Sequence, residues 1–97
     1  MTGYVLSPRA QADIDEIWDY TADQWGDDQA ERYIRDLRRA IETIARNPNR
    51  GRSCDFIRPG YRKFPVGAHM ILFRLIADGI NVVRILHQSM DFERHLS

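Results

Sequence analysis

The spacing of apolar residues changes at Asn47-Pro48, and this change constrains the fold more than any other feature of the sequence. Before it, apolar residues recur every three or four positions, which is typical of amphipathic helices. After it, short apolar runs alternate with glycine and proline, which is typical of strands and turns. Proline restricts the residue before it away from helical geometry, so the change marks a boundary. The sequence therefore predicts an α+β fold whose helices precede its main sheet.

Two helices joined by a short turn are predicted in the first half of the chain. Ser7 followed by Pro8 is a helix start, Gly26 can end that helix, and Asp27 or Asp28 can cap the next one. The two apolar stripes comprise Ala10, Ile14, Ile17, Trp18, Thr21 and Trp25, and then Ala30, Tyr33, Ile34, Leu37, Ile41, Ile44 and Ala45. Because the turn is short, the helices should form an antiparallel hairpin.

Extended segments flank this hairpin on both sides. Residues 4–6 predict a strand before it, and residues 62–66, 69–77 and 80–87 predict three antiparallel strands after it, with Pro65 at an edge or a bulge. A short C-terminal helix is predicted over residues 90–96. The expected order is β-α-α-β-β-β, with the hairpin packed on the sheet. A chain of 97 residues supports a single domain, residues 1–97.

Asp78-Gly79 separates two apolar runs and is a strong hairpin signal. A two-residue turn there would pair Phe73 with Arg84, Leu72 with Ile85 and Met70 with His87. One face would carry Ile71, Phe73, Leu75, Ile80, Val82 and Leu86, and the other Met70, Leu72, Ile76, Val83 and Ile85. Both faces are apolar, so both need a cover. The helices cover one face, and either local segments or a docking partner cover the other.

The formal net charge is zero, but the charges are segregated along the chain. Residues 1–31 carry one arginine against eight acids, a net charge of −7, whereas residues 32–74 carry eleven cations against three acids, a net charge of +8. The remaining residues carry two arginines against three acids, a net charge of −1. Overall charge therefore gives no argument for direct binding to nucleic acid or membrane. The first-helix acids expected on its polar face are Asp13, Asp15, Glu16, Asp19 and Asp23.

Several functional classes lack support in the sequence. No apolar run approaches the ~20 residues of a membrane span, and no signal peptide opens the chain. One cysteine, Cys54, cannot form an internal disulfide, so the cytoplasm is the simplest location. We expect it to be a small side chain beside a loop. His69, His87 and His95 stand apart, so we expect neither a metal site nor a cofactor.

An arginine and aromatic group in the second half is the main candidate for a functional surface. It comprises Arg58, Tyr61, Arg62, Lys63, Arg74 and Arg84, with His69 and His87 nearby. It would suit a metal-independent RNA-cleaving site, a protein- or nucleic-acid-binding surface, or ordinary ion pairs with Asp55, Asp91 or Glu93. Arg84 interrupts an apolar strand, so its charge needs a partner or a path to solvent. Trp25, at the hairpin tip, would be an interaction anchor if exposed.

The order of several short motifs resembles one known family. They are Leu6-Ser7-Pro8 with Ala10, Ala12-Asp13-Ile14, Ile17-Trp18, Tyr20, Trp25-Gly26, Gln29-Ala30, Ile41, Ile44-Ala45, Asn47-Pro48, Gly51-Arg52, Gly60-Tyr61-Arg62, His69, Phe73-Arg74, Arg84-Ile85-Leu86-His87, Met90-Asp91 and His95-Leu96. Each is weak alone, but the ordered set runs almost end to end. On this set the chain resembles the ParE branch of the RelE/ParE toxins of bacterial type II toxin–antitoxin systems.

The resemblance implies a fold and a set of partners. It implies a strand, a helical hairpin and an antiparallel sheet, and a growth-regulating toxin that poisons DNA gyrase without cleaving a substrate. It also implies neutralisation by a ParD-like ribbon-helix-helix antitoxin, in a hetero-oligomer that reaches operator DNA only through that antitoxin. The residues we expect to bind the target or the antitoxin are Trp25, Arg58, Tyr61, Arg62, His69, Arg74, Arg84 and His87.

Two alternatives remain open. RelE-type relatives cleave mRNA on the ribosome with several lysines and arginines and an acid–base group. This chain departs from that pattern, because it has one lysine and no tyrosine after Tyr61. Arg62, Arg84 and His87 could still act as a reduced catalytic set. The other alternative is a protein-binding module without toxicity.

Overall fold

The computed structural model describes residues 3–89 and shows two helices packed on a five-stranded sheet. Its elements are β1 (Gly3–Leu6), α1 (Pro8–Trp25), α2 (Asp27–Arg46), a 3-10 turn (Pro48–Arg50), β2 (Arg52–Ser53), β3 (Tyr61–Val66), β4 (His69–Ile76) and β5 (Gly79–His87). The strand order is β1-β5-β4-β3-β2. The predicted α+β fold is confirmed, while the helix predicted over residues 90–96 lies outside the described residues.

The sheet is mixed rather than purely antiparallel. Strand β1 pairs in parallel with β5, and every other neighbouring pair of strands is antiparallel. The two-residue strand β2, which the sequence pattern did not reveal, extends the sheet beyond β3. Pro65 lies in β3 opposite Met70 and beyond the two residues of β3 that pair with β2, so this part of β3 is an edge of the sheet among the described residues.

The ends of the helices follow from local hydrogen bonding. The Ser7 hydroxyl accepts a hydrogen bond from the Ala10 backbone N–H at 3.0 Å, and Pro8 occupies the first helical position, as predicted. Gly26 ends α1 with φ +93°, a conformation that favours glycine. The predicted side-chain cap by Asp27 or Asp28 is wrong, because α2 begins at Asp27 directly after Gly26. Both carboxylates lie in its first turn, where they complement the helix dipole.

The main core lies between the helices and one face of the sheet. Its buried residues are Ala10, Ile17, Leu37, Ile41, Ile44, Ala45, Ile71, Phe73, Ile80, Val82 and Ile85. The apolar stripe predicted for α2 is confirmed at its five buried positions, Ala30, Leu37, Ile41, Ile44 and Ala45. Trp25 does not belong to the buried stripe of α1, because it lies at the hairpin tip and is 66% exposed.

The predicted register of the β4–β5 hairpin is wrong. The turn consists of Ala77 and Asp78, because Gly79 already belongs to β5 and pairs with Ile76. The observed pairs include Phe73–Val82, Leu72–Arg84, Ile71–Ile85 and His69–His87. Gly79 has φ +149°, a value that residues with a side chain rarely adopt. Because glycine can adopt it within the strand, the turn lies one residue earlier than predicted.

A bulge in β5 also exchanges two residues between the faces of the sheet. The register shifts between Leu72 and Phe73, so Val83 is the extra residue on β5. Beyond it the alternation of faces is reversed. Ile85 therefore packs in the core under the helices, and Leu86 packs with Leu72 on the opposite face.

The second face of the sheet carries a smaller apolar cluster. Cys54, Leu72 and Leu86 are buried there, and Ile57, Tyr61 and Val83 pack against them. The segment after β2 therefore covers part of this face, and Cys54 is a small buried side chain beside a loop, as predicted. Other apolar side chains of the sheet half stay exposed, namely Phe56, Leu75 and Ile76. Within residues 3–89, no helix combines the length and apolar character needed to cross a membrane.

Candidate functional site

A cavity of about 850 Å³ lies between α1 and the last residues of β5. Its lining comes from α1, from the first residues of α2, from the turn between β3 and β4, and from the end of β5. Four of the predicted site residues line it, namely Trp25, His69, Arg84 and His87. We call this space the α1–β5 cavity. Among residues 3–89, no group of three or more metal-ligating side chains is arranged to hold a metal ion.

The charge on Arg84 is paired inside the protein. Its Nε and Nη2 atoms donate hydrogen bonds to the two carboxylate oxygens of Asp13, at 2.8 and 2.9 Å. The side chains of Arg84 and Asp13 are 15% and 9% exposed. This bidentate contact raises the pKa of Arg84, because it stabilises the guanidinium. Of the three sequence interpretations, an internal ion pair is the one found for Arg84, but its partner is Asp13 rather than Asp55, Asp91 or Glu93.

The Asp13 carboxylate also caps an open edge of the sheet. Strand β1 pairs with β5 only as far as Val82, so the described residues provide no neighbouring strand beyond that point. There α1 and its N-cap residue supply the partners. Asp13 accepts the Ile85 backbone N–H at 2.9 Å, and the Ser7 hydroxyl donates to the Val83 carbonyl at 2.7 Å. Side chains that occupy these backbone groups protect an edge strand from unwanted pairing. The pair thus locks α1 to the bulged part of β5.

A hydrogen bond and a ring contact join α2 to the two histidines of the cavity. The Tyr33 hydroxyl lies 2.6 Å from His69 Nδ1, and it also accepts the Ala68 backbone N–H at 3.0 Å. His69 and His87 are opposite each other on β4 and β5, with ring centroids 5.4 Å apart in an edge-to-face arrangement. Burial raises the pKa of Tyr33 and lowers the pKa of His69, which the neighbouring His87 lowers further. His69 is therefore held neutral near pH 7.

The lowered pKa of His69 predicts a pH dependence of stability. Folding lowers the pKa of His69 below its ordinary value of 6.5. As the pH falls through 6.5, the unfolded chain therefore binds a proton at this histidine more readily than the folded protein does. The stability that depends on neutral His69 is thus present above that pH and is lost as the pH falls. We expect His69→Gln to flatten the decline in the free energy of unfolding between about pH 7 and pH 5. Urea titrations of both proteins across this range would check it, and parallel curves would contradict it.

The rim of the cavity at the hairpin tip is aromatic. Tyr20 and Trp25 are 62% and 66% exposed, and their rings meet edge to face with centroids 6.2 Å apart. Both residues line the α1–β5 cavity. Trp25 thus meets the condition set in the sequence analysis, because it is exposed at the hairpin tip, while its role as an interaction anchor remains a prediction.

The other predicted site residues lie away from this cavity. Arg58 stacks over the Tyr61 ring at 5.8 Å, and Tyr61 packs against the cluster on the second sheet face. The Arg62 guanidinium donates to the Gly51 carbonyl at 3.0 Å. Arg74 is exposed on β4 opposite Tyr61. The proposed catalytic set is thus divided, since Arg84 and His87 line the cavity and Arg62 does not.

The cavity lining also includes residues that were not predicted as site residues, among them Asp13, Tyr20 and Tyr33. Asp13 was expected on the polar face of α1, but it is 7% exposed. Its spacing contained a signal, because it lies three residues after Ala10 and four before Ile17, on the buried stripe. Tyr33 was expected in the core, and its partly buried ring does pack there, but its hydroxyl turns towards His69.

Comparison with known proteins agrees with this fold. Residues 4–92 match the family model described as the ParE toxin of the type II toxin–antitoxin system parDE. Toxin ParE1 of Mycobacterium tuberculosis (strain H37Rv) is 56% identical over 94 residues, which is 96% of each chain. Toxin ParE1 of Caulobacter vibrioides is 42% identical over 96 residues, 99% of each chain. Toxin ParE of Escherichia coli is 31% identical over 98 residues, covering all of this chain and 95% of that one.

A solved structure supports the fold independently. A chain of the chromosomal ParDE toxin–antitoxin system from P. aeruginosa superposes with a TM-score of 0.77. The match covers 90% of this chain and 96% of that chain at 22% identity, so it bears on the fold alone. The family model and the three toxins extend over almost the whole sequence. The chain therefore belongs to the ParE family of toxins of type II toxin–antitoxin systems.

Proposed function

We propose that this chain blocks replication by poisoning DNA gyrase, and that a ParD-like antitoxin neutralises it by direct binding. The observation that carries the proposal is its 56% identity over 96% of both chains to a toxin of the ParE family. The pair would act in the cytoplasm, where gyrase and chromosomal DNA are found. Contact with operator DNA would come through the antitoxin, because the toxin has a net charge of zero.

The arrangement of the arginines supports binding rather than phosphate chemistry. The Arg84 guanidinium donates hydrogen bonds to both carboxylate oxygens of Asp13, and the Arg62 guanidinium donates to the Gly51 carbonyl. Stabilising a phosphoryl transition state requires cationic donors aimed at the developing charge. These two guanidiniums are instead held by groups of the protein itself. The exposed aromatic pair at the hairpin tip suits contact with another protein.

The exposed apolar side chains of the sheet half support an antitoxin partner. Phe56, Leu75 and Ile76 are 80%, 54% and 39% exposed. Large apolar side chains that stay exposed on a small protein often belong to an interface. The structural relative from P. aeruginosa comes from a ParDE toxin–antitoxin system. We infer that the antitoxin covers some of these exposed side chains.

The second candidate function is cleavage of mRNA on the ribosome. One observation favours it, namely the contacts from Tyr33 to His69 and on to His87 along the α1–β5 cavity. Histidine can carry protons near neutral pH, and a hydrogen-bonded tyrosine can orient it. The candidate set would then be His69, His87 and Tyr33 rather than the set with Arg62.

Purified toxin should convert supercoiled plasmid to linear DNA in the presence of gyrase and ATP. The broken DNA should accumulate with toxin concentration, and pre-incubation with an equimolar amount of the antitoxin encoded by the adjacent gene should prevent it. A reaction without gyrase is the matched control and should leave the plasmid intact.

Two other results would replace this proposal. Cleavage of ribosome-bound mRNA without linear plasmid would favour the nuclease, and His69→Gln should then reduce that cleavage by about 100-fold or more. Neither activity, together with unchanged growth when the protein is induced, would favour a binding module without toxicity.

A further inference from the structure

The outer side of α2 and the turn that follows it form a strongly cationic surface. Residues 32–52 carry seven arginines against Asp36 and Glu42, so the net charge of this segment is +5. All seven arginine side chains are exposed, and none of them lines the α1–β5 cavity. We call this group the α2 arginine surface, and its members are Arg32, Arg35, Arg38, Arg39, Arg46, Arg50 and Arg52.

Four of these arginines form a line along α2. They are separated by three, four and seven residues, which places them on one side of the helix, and they are Arg32, Arg35, Arg39 and Arg46. At about 1.5 Å per residue, the line is about 21 Å long. Asp28 precedes it by one turn, and Glu42 interrupts it between the last two arginines. Ile41, two positions after Arg39, is buried, so the line faces away from the core.

The helix that carries the line is firmly supported, while its guanidiniums remain available to a partner. The opposite side of α2 packs in the main core through residues such as Leu37 and Ile44. Arg35 forms an ion pair with Glu31 at 3.2 Å, but both side chains are more than half exposed, and such pairs contribute little. No other arginine of α2 forms an ion pair within residues 3–89. A polyanion could therefore bind here without breaking any buried contact.

The chemistry of the surface favours nucleic acid over protein as its partner. None of the large apolar side chains that are exposed in residues 3–89 belongs to α2, whereas the centre of a protein interface is usually apolar or aromatic. Binding to nucleic acid depends mainly on phosphate charge, and arginine contacts phosphate through two N–H groups at once. One strand of a DNA duplex carries a phosphate about every 3.4 Å of its axis, so the line spans about six phosphates.

The zero net charge of the chain limits this attraction to close range. Residues 1–31, with a net charge of −7, oppose the approach of free DNA. Salt screens charges that lie more than about 8 Å apart in solution, so the arginines act mainly on phosphates that are already near them. A third molecule that holds DNA beside the toxin would supply this proximity, because it raises the effective concentration of the phosphates.

We propose that the α2 arginine surface binds the phosphate backbone of the DNA duplex that gyrase holds, while other surfaces of the toxin contact the enzyme. This inference rests on the proposed function, because gyrase supplies the DNA. The contact is independent of sequence, since arginine–phosphate contacts do not read bases. The toxin should consequently bind gyrase more tightly when DNA is present, and this difference should fall as salt rises.

The test is a set of fluorescence anisotropy titrations of full-length labelled toxin at several salt concentrations. The three binding partners are gyrase alone, gyrase loaded with a linear duplex, and the duplex alone. At low salt we expect unmodified toxin to bind the loaded gyrase about 10-fold or more tightly than gyrase alone.

The test variant is Arg32→Gln with Arg39→Gln, because glutamine matches arginine in helix propensity. It should abolish most of the gain from DNA and reduce the slope of log affinity against log salt by about 2, since each lost phosphate contact removes about one unit. Its affinity for gyrase alone should change by no more than about 2-fold, as is usual outside an interface.

Two controls separate charge from position. Arg32→Lys with Arg39→Lys keeps both charges, so it should retain the gain from DNA within about 3-fold. Arg9→Gln removes one exposed cation from α1, outside the surface, and it should change the affinity for loaded gyrase by no more than about 2-fold. The single variant Arg39→Gln is its match and should weaken that affinity measurably. Circular dichroism of every variant would separate loss of binding from loss of fold.

Three results would overturn the inference. Equal affinity of the glutamine variant and the unmodified toxin for loaded gyrase would show that the arginines do not contact the DNA. An equal weakening with and without DNA would assign the surface to an acidic region of the enzyme. A weakening seen only with the antitoxin encoded by the adjacent gene would assign it to an acidic segment of that protein. If unmodified toxin bound neither form of gyrase and produced no linear plasmid, the proposed function would itself fail, and the inference with it.

Discussion

Replacing Asp13 with alanine is expected to lower the free energy of unfolding by about 3–5 kcal/mol. The substitution leaves the Arg84 guanidinium without its partner at a site where that side chain is 15% exposed. It also leaves the Ile85 backbone N–H, at the bulged edge of β5, without its acceptor. A domain of this size is stable by about 5–15 kcal/mol, so the loss is a large fraction of the total. Urea denaturation followed by tryptophan fluorescence would measure it.

A surface ion pair of the same chain provides the control. Arg35 and Glu31 are 3.2 Å apart with side chains that are 55% and 63% exposed. Glu31→Ala should therefore change the free energy of unfolding by less than about 1 kcal/mol. If Asp13→Ala cost no more than Glu31→Ala, the buried pair would not be structural. Arg84 would then be available to a target or a substrate.

A double variant separates the pair from the backbone contact. Asp13→Leu with Arg84→Met removes both charges together, so it should cost less than the sum of the single changes. A remaining loss of about 1–3 kcal/mol is expected, because the Ile85 N–H stays without its acceptor. Additive single and double effects would contradict a coupled pair. Asp13→Asn, which keeps one acceptor oxygen, allows the same comparison if the alanine variant does not fold.

The helical half could be predicted from the sequence because its signals are local. Ser7-Pro8 and Gly26 define the ends of α1 through backbone geometry and a short-range hydrogen bond. The stripe of α2 repeats over five turns, so its buried face was unambiguous. The predicted cap of α2 was wrong because Gly26 is both the C-cap of α1 and the N-cap of α2. The residue preferences at helix ends do not distinguish this shared cap from two separate ones.

The register of the sheet was less predictable because it depends on contacts between distant strands. The bulge at Val83 reverses the alternation of faces at the point where β5 changes neighbours, from β1 to the side chains of Ser7 and Asp13. No pattern within β5 reports that change. Local alternation therefore placed Ile85 and Leu86 on the wrong faces, although it identified both as apolar and buried.

Only part of the candidate site could be predicted, again because its contacts join elements that are distant in the sequence. Trp25, His69, Arg84 and His87 were singled out by residue type, and the fold gathers them around one cavity. Their partners come from elements 36 to 71 residues away, as in the contacts of Tyr33 with His69 and of Asp13 with Arg84. A single sequence shows which side chains need a partner, but it does not show which distant element supplies one.

Replacing Gly79 with alanine is expected to lower the free energy of unfolding by about 3–4 kcal/mol. Gly79 has φ +149°, which a side chain rarely adopts, and its added Cβ would overlap the backbone carbonyl of Gly3. The parallel pairing of β1 with β5 begins at these two residues. The substitution must therefore strain the backbone and also displace the first residue of β1. Hydrogen exchange should show the loss of protection in β1 before the rest of the sheet.

Gly26→Ala is the control that separates these two causes. Gly26 also has a positive φ, +93°, but no atom lies within 4 Å of its added Cβ. Gly26→Ala should therefore lower the free energy of unfolding only by the backbone strain, about 1–3 kcal/mol. It should leave the protection of β1 from hydrogen exchange unchanged. If Gly79→Ala lowered the free energy of unfolding more than Gly26→Ala, the difference would be the contribution of the close approach between β1 and β5. Equal losses would mean that β1 moves away from β5 without cost, and that its parallel pairing contributes little to the stability of the toxin.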